Sequence, residues 1–174
     1  GVMTDEKFMQ VFLPFQQLVS HFGKWNSLSH QVMKLTLPGV PDIYQGTEMW
    51  SFSLVDPDNR RPVDYQQRRD ALQQILQVSS RGPAELQKFV SSLSNQDESG
   101  VLKLLVTSSL LRYRRANADL FNFGSYLPVK ATGSRGSNVI GFMRSFQKKA
   151  VLVLAGRFFA SMKYENADSW ADTV

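Results

Sequence analysis

The stretch from Leu37 to Tyr65 constrains the fold more than any other part of this sequence. Seven proline, glycine and asparagine residues lie in it, and these residue types favour turns and interrupt helices and strands. Helical patterns lie on both sides, so the stretch is predicted to be a long polar loop, where binding and catalytic groups often occur. Its charged and amide residues are Asp42, Gln45, Glu48, Asp56, Asp58, Asn59, Arg60, Arg61 and Asp64.

Apolar residues before the loop recur at helical spacing from Phe8 to Phe22. Pro14 interrupts this run and Gly23 is a plausible helix end, so we expect either a kink or two helices. The second helix would be capped by Asn26 or Ser27 and would end before the loop.

Three further helices are predicted after the loop. Asp64 and Gln67 form a D-x-x-Q capping box, which predicts a helix start. Pro83 suits the first turn of the next helix, and the third has an apolar side from Leu102 to Tyr113. Within the loop, residues 40–44 form a short strand candidate.

The character of the sequence changes near Asn117, where short strands between glycine, serine and asparagine turns replace the helical pattern. The predicted fold class is therefore α+β, with a helical part over residues 1–116 and a small antiparallel β part over residues 117–174. The candidate strands are Tyr126 to Ala131, Asn138 to Phe146, Ala150 to Ala155 and Trp170 to Val174.

Composition excludes several classes of function. The chain has no cysteine, which excludes a disulfide framework and a thiolate nucleophile and favours a reducing compartment such as the cytoplasm. Its two histidines, His21 and His30, are not in metal-ligand spacing, so no metal site is expected. The net charge of +5 is mild and the basic residues are not gathered as in a nucleic-acid binder. No apolar run approaches the ~20 residues of a membrane span.

The loop can be tested against glycosidase chemistry, which needs two carboxyl groups that face each other about 5 Å or more apart. Asp56 and Asp58 flank one proline in one loop, so they would lie side by side. We expect them instead to pair with Arg60 and Arg61 or to accept backbone hydrogen bonds. The loop also lacks the glycine and glutamate of a calcium-binding EF-hand.

A sugar-binding interpretation fits the loop better, although phosphate and peptide sites use many of the same groups. Asp, Asn, Gln and Arg can hydrogen-bond sugar hydroxyls, and the faces of pyranose rings rest on aromatic side chains. The residues that offer this chemistry are Tyr44, Gln45, Trp50, Asp58, Asn59 and Arg60.

The sequence of this region closely resembles the sequences of maltooligosyl trehalose synthases, which belong to the α-amylase superfamily. The most specific motif is LVDPDNRRPVD, whereas PGVPDIYQGTE indicates only the wider superfamily. The resemblance continues through Asn26 to Ser29, Gly124 to Tyr126, Phe142 to Arg144 and Trp170 to Thr173. It covers nearly the whole chain.

The resemblance implies a C-terminal fragment of an enzyme that has a (β/α)8 barrel followed by a β domain. Such an enzyme converts the reducing-end α-1,4 linkage of a maltooligosaccharide into an α,α-1,1 linkage, with retention and without a cofactor. The strands that carry its catalytic carboxylates are missing here, so the chain alone is expected to be inactive. On this alignment residues 40–44 resemble the last barrel strand, and without neighbours they should be irregular, packed under the helices or paired with another copy.

On the same resemblance, the loop would line the acceptor side of the cleft at the C-terminal face of the barrel. No catalytic residue is assigned. The expected partner is a maltooligosaccharide together with the missing barrel; self-association through the exposed barrel surface is a further expectation, and nucleic acid and membrane are not expected partners. A non-catalytic carbohydrate-binding or interaction module is the alternative interpretation. The candidate substrate contacts are Tyr44, Gln45, Glu48, Asp58, Asn59, Arg60 and Arg61.

Overall fold

The computed structural model describes residues 4–94 and 98–162, which form a helical part followed by a small antiparallel sheet. This confirms the predicted fold class. The described helices are α1 (Glu6–Thr36), α2 (Tyr65–Ser80), α3 (Pro83–Ser94), α4 (Val101–Ala116) and α5 (Ala118–Phe123). The described strands are β1 (Ser125–Val129), β2 (Val139–Phe146) and β3 (Lys149–Gly156).

Helix α1 is one continuous helix of 31 residues, so the prediction of a second helix capped at Asn26 or Ser27 is wrong. Asp5 caps it, because its side chain accepts a hydrogen bond from the backbone N–H of Phe8 at 3.1 Å. A glycine inside a helix costs only about 1 kcal/mol. Packing of the C-terminal half of α1 against α4 and β3 outweighs the breaking signal of Gly23.

Helices α2, α3 and α4 begin close to their predicted starts. The carboxylate of Asp64 accepts a hydrogen bond from the Gln67 N–H at 2.9 Å, which confirms the cap of α2. Pro83 is the first residue of α3, as its missing N–H favours. These helices enclose a core whose buried members are Met49, Ala71, Ile75, Leu104 and Leu105.

The sheet of the described residues has the order β1–β2–β3, with both pairs antiparallel. These strands confirm the first three predicted strands to within two residues at each end. The fourth, Trp170 to Val174, lies outside the described residues. Phe142 and Val153 form a buried cross-strand pair on the face that packs toward the helices. Helix α5 was not predicted; it follows residue 117 and contacts β2.

Residues 40–44 adopt no regular structure, so the short strand predicted from their composition is wrong. The expectation that they are irregular without barrel neighbours is confirmed. Val40, Asp42 and Tyr44 are exposed, whereas Pro41 and Ile43 are half-buried. In the described part of the chain, residues 40–44 have no neighbouring strand with which to form backbone hydrogen bonds, and Pro41 has no N–H to donate.

Two arginines hold the C-terminal end of α1, where the last carbonyls of a helix lack partners within it. Arg114 donates to the carbonyls of Leu35, at 3.0 Å, and of Gly39. Arg144, which is 1% exposed, donates to the carbonyl of Thr36 at 3.1 Å. Because Arg114 lies on α4 and Arg144 on β2, the start of the long loop is fixed by both the helical part and the sheet.

Candidate functional site

The long loop is anchored by an apolar side chain near its middle. Met49 is 2% exposed and packs in the core between α2 and α4. Gly100, directly before α4, has φ +88°, and a Cβ at this position would lie 2.3 Å from the backbone N of Trp50. The loop therefore lies directly against the start of α4.

A second anchor is Arg68 of α2, whose side chain is only 16% exposed. Its Nε donates to the Glu48 carboxylate at 3.1 Å, and its two terminal nitrogens donate to the carbonyls of Gly46, at 2.7 Å, and Asp64, at 3.0 Å. A planar guanidinium can satisfy three such acceptors at once. Arg68 thus joins the first turn of the loop to the residue that caps α2.

The DPDNRR turn is held by ion pairs. Arg60 pairs with Asp56 at 2.8 Å, and Arg61 pairs with Asp58 at 2.5 Å. The second carboxylate oxygen of Asp58 accepts a hydrogen bond from the Leu54 N–H at 3.1 Å. The expectation that these aspartates pair with Arg60 and Arg61 is confirmed.

Arg68 and the DPDNRR turn line a cavity of about 210 Å³. Two of the lining residues have a buried polar atom: Oδ1 of Asp58, whose contact is the ion pair with Arg61, and Oδ1 of Asn59, which has no hydrogen-bond partner among the described residues. A buried acceptor without a donor costs about 1–3 kcal/mol. The lining residues are Gln45, Gly46, Trp50, Ser51, Phe52, Ser53, Asp58, Asn59, Arg61, Pro62, Val63 and Arg68.

Of the seven candidate contacts, the structure brings four together at this cavity. These are Gln45, Asp58, Asn59 and Arg61.

The other three candidates do not line the cavity. Tyr44 is half-exposed and its carbonyl accepts from Thr47. The Glu48 carboxylate forms an ion pair with Arg68, and the Arg60 guanidinium forms an ion pair with Asp56.

Sequence reasoning missed Arg68, to which it assigned no role. Its position one turn after the Asp64 cap, beside a loop rich in carbonyls, is a weak signal that could have indicated it.

A cation lies against the indole of Trp50, behind the cavity. The ammonium of Lys103 is 5.7 Å from the ring centroid, within the range of a cation–π contact. Burial and the neighbouring Lys34 lower the pKa of Lys103, whereas Glu48 acts in the opposite direction. A partly desolvated ammonium strengthens the contact with the ring, so Trp50 is held in place from the α4 side.

Replacement of Arg68 with methionine is expected to release the loop. Three acceptors lose their donor, so the free energy of unfolding should fall by about 1.5–3 kcal/mol, and trypsin should cut faster after Arg60. Urea denaturation and mass spectrometry of timed digests measure the two effects. Arg69→Met on the same helix is the control, because Arg69 is exposed and donates to the exposed Gln66 of its own helix. Equal digestion rates for the two variants would contradict the anchoring role.

No group of three or more His, Asp or Glu side chains that could hold a metal ion occurs in residues 4–94 and 98–162. Over the same residues, no helix is both long enough and apolar enough to cross a membrane.

The chain is similar to the C-terminal portion of much larger carbohydrate-active enzymes. It spans about 19% of the length of the curated relatives that it matches. These relatives are maltooligosyl trehalose synthases, which confirms the resemblance seen in the sequence. No protein-family profile matches the chain.

Three of these proteins illustrate the match. A protein of Mycobacterium tuberculosis that carries this name is 38% identical over 169 residues, covering 90% of this chain and 19% of its own. The structure of the Arthrobacter ramosus enzyme has a TM-score of 0.71 at 34% identity, over 92% of this chain and 19% of that one. The Sulfolobus tokodaii structure has a TM-score of 0.66 at 35% identity, over 88% of this chain and 18% of that one.

Proposed function

We propose that this chain supplies one wall of the sugar cleft of an enzyme that converts the reducing-end α-1,4 linkage of maltooligosaccharides into an α,α-1,1 linkage. The reaction would be a retaining intramolecular transglycosylation. The similarity to maltooligosyl trehalose synthases supports the proposal. The observation that carries it is the cavity where Gln45, Asp58, Asn59 and Arg61 meet.

The chemistry of this cavity suits sugar hydroxyls, each of which donates one hydrogen bond and accepts others. Asn59 lines the cavity, and its side-chain amide can both donate and accept hydrogen bonds. Gln45 and Arg61 offer N–H donors, and Trp50 and Phe52 offer apolar surface for a pyranose ring. In this role the loop binds and orients the sugar and performs no bond cleavage.

The chain alone is proposed to be inactive. A retaining mechanism uses two carboxyl groups about 5 Å apart, one as nucleophile and one as acid and base. In the loop, Asp56, Asp58 and Glu48 are each engaged by an arginine at 3.1 Å or less. All three carboxylates are therefore committed to ion pairs that hold the loop.

A chimera tests this function. This chain replaces the matching segment of the Arthrobacter ramosus enzyme, and loss of reducing ends from maltopentaose is followed by chromatography of the non-reducing product. We expect the chimera to be active and the chain alone to form no product. Asn59→Ala in the chimera should lower kcat/KM by about 10-fold or more, as expected when a buried hydrogen bond to substrate is lost.

Matched controls make the chimera experiment decisive. Arg69→Met in the same chimera should leave kcat/KM unchanged, because Arg69 lies outside the cavity and contacts Gln66. A folded chimera without activity, or an Asn59→Ala variant with full activity, would contradict the assignment of this wall.

Titration of the chain alone with maltopentaose separates the proposal from a non-catalytic carbohydrate-binding module. One wall of a cleft leaves most of a sugar's surface in water, so we expect binding too weak to saturate at millimolar sugar. Saturation in the micromolar range would favour the module instead.

A further inference from the structure

Trp50 lies between two cavities. It lines the cavity of about 210 Å³ described above, and it also lines a second cavity of about 50 Å³. The second cavity lies among the helices, where its other lining residues include Trp25 of α1, Leu93 of α3 and Leu102 of α4. Protein interiors are normally filled, with few voids larger than a water molecule. Close packing alone therefore does not fix the orientation of the Trp50 indole.

The backbone of Trp50, in contrast, is held firmly. The preceding Met49 is 2% exposed, and the Trp50 N lies so close to Gly100 that a Cβ there would come within 2.3 Å of it. The indole is attached to this backbone through two rotatable bonds, each with more than one low-energy setting. Contacts made by the ring itself must select among these settings.

Lys103 of α4 makes such a contact. Its ammonium lies over the indole of Trp50, 5.7 Å from the ring centroid, and Lys103 is not one of the residues that line the larger cavity. The cation thus reaches the ring from outside the cavity and takes no space that a sugar needs. Tryptophan is the aromatic residue that attracts a cation over its face most strongly.

The backbone beneath Lys103 is fixed against α1. The hydroxyl of Thr107 donates to the Lys103 carbonyl at 2.8 Å and accepts from the side-chain amide of Gln31 at 2.9 Å. Gln31 and Thr107 are both buried, so this polar link between α4 and α1 is shielded from water and correspondingly strong. The root of the Lys103 side chain is therefore held in place, as a residue that orients another one requires.

The loop also supports the charge on Lys103. Burial, and then the neighbouring Lys34, lower the pKa of Lys103, and the Glu48 carboxylate opposes both effects. Glu48 lies two residues before Trp50, and Arg68 holds its carboxylate at 3.1 Å. The same segment of the loop thus provides the ring and an anion that favours the charged form of the lysine.

We propose that Lys103 is a positioning residue for the sugar: its ammonium selects the orientation in which the Trp50 indole faces a pyranose ring in the cavity. This inference rests on the proposed function, since it assigns the indole to a maltooligosaccharide. Lys103 touches no reacting atom, and its effect passes through Trp50. Because the ring contacts the sugar before and during the reaction, its orientation should affect the binding of substrate and transition state equally.

The chimera with the Arthrobacter ramosus enzyme measures the effect on substrate. Lys103→Met keeps most of the apolar stem and removes the charge, so it should raise KM for maltopentaose about 5-fold and change kcat less than about twofold. Lys103→Arg keeps a cation that can lie over the ring and should restore most of the affinity. Lys34→Met removes an exposed neighbouring charge and should leave KM unchanged.

A double-mutant cycle in the chimera shows whether Lys103 acts through Trp50. Trp50→Leu removes the ring and should raise KM by itself. In that background Lys103→Met should have no further effect, because the ring that it positions is absent. Equal effects of Lys103→Met with and without the ring would overturn the proposal, since Lys103 would then act by another route.

The motion of the indole is measured in this chain alone and needs no sugar. Trp25→Phe and Trp170→Phe leave Trp50 as the single tryptophan, and circular dichroism checks that the helices are kept. Time-resolved fluorescence anisotropy should show a larger subnanosecond depolarisation after Lys103→Met, but not after Lys103→Arg or Lys34→Met. An unchanged depolarisation after Lys103→Met refutes the role of Lys103, whatever the chimera does.

The two measurements separate this inference from the proposed function. A folded chimera without activity overturns the sugar role of this wall, and with it the sugar role of Lys103, while the anisotropy still decides whether Lys103 holds the ring. An active chimera in which Lys103→Met leaves KM unchanged contradicts only the role of Lys103.

Discussion

Replacing Arg144 with methionine is expected to lower the free energy of unfolding by about 3–5 kcal/mol, which is a large part of the stability of an ordinary domain. The guanidinium is buried and donates to carbonyls at the end of α1, in and just after α5, and at the start of β1. The acceptors are the carbonyls of Thr36 at 3.1 Å, Phe121 at 3.0 Å, Gly124 at 3.0 Å and Ser125 at 3.1 Å.

The loss of stability arises because methionine leaves buried carbonyls without a hydrogen-bond donor. It fills much of the volume but donates nothing, so buried carbonyls at the end of α1 and around α5 lose their partner. Burial, and then the nearby Arg114, lower the pKa of Arg144 below its ordinary value, but an arginine still remains charged at neutral pH. The loss should therefore be nearly independent of pH around neutrality.

Two comparison variants identify the cause. Arg115→Met removes an exposed arginine from the end of α4 and should change stability by no more than about 0.5 kcal/mol. Arg144→Lys keeps the charge but cannot span the same acceptors, so most of the loss should remain. Urea denaturation followed by circular dichroism measures all three, and a full recovery with lysine would show that charge alone matters.

The role of Arg144 could not be predicted from the sequence. An arginine is expected at the surface, since burial of an unpaired charge is costly. Its acceptors lie 19 to 108 residues away along the chain, so no local pattern reveals them. One signal existed: Arg144 alternates with Phe142 in β2, and the side-chain period of a strand places both on one face.

Local signals predicted those elements whose start depends on neighbouring residues. Asp64 with Gln67, and Pro83 at a first turn, define helix starts through their own backbone geometry. The continuity of α1 through Gly23 depends instead on distant packing. The burial of Met49 could not be predicted for a similar reason. It depends on α2 and α4, which pack around this side chain only in the folded protein.

The candidate site was predictable only in part. Asp58, Asn59 and Arg61 were assigned from composition and resemblance, and the structure brings them together. Arg60 was assigned from composition and resemblance and Glu48 from resemblance alone, but neither lines the cavity, and each is held by an ion pair. Composition indicates which groups can bind a sugar, but it does not indicate which of them line the cavity.

Replacing Gly100 with alanine is expected to cost about 3 kcal/mol or more, and Gly82→Ala should cost only about 1–2 kcal/mol. Both glycines have positive φ, +88° at Gly100 and +103° at Gly82, so alanine strains the backbone at either site. They differ in their surroundings. A Cβ at Gly82 meets nothing within 4 Å, whereas at Gly100 it would overlap the Trp50 backbone N.

The difference between the two glycine variants therefore measures how tightly the loop is held against α4. To accept the extra methyl group, either the Met49–Trp50 backbone or the first turn of α4 must move, and the first choice displaces a residue that lines the cavity. In the chimera, Gly100→Ala should consequently lower kcat/KM while Gly82→Ala leaves it unchanged. Equal losses of stability in urea denaturation would mean that the loop yields freely, and a wall that yields freely could not orient a sugar.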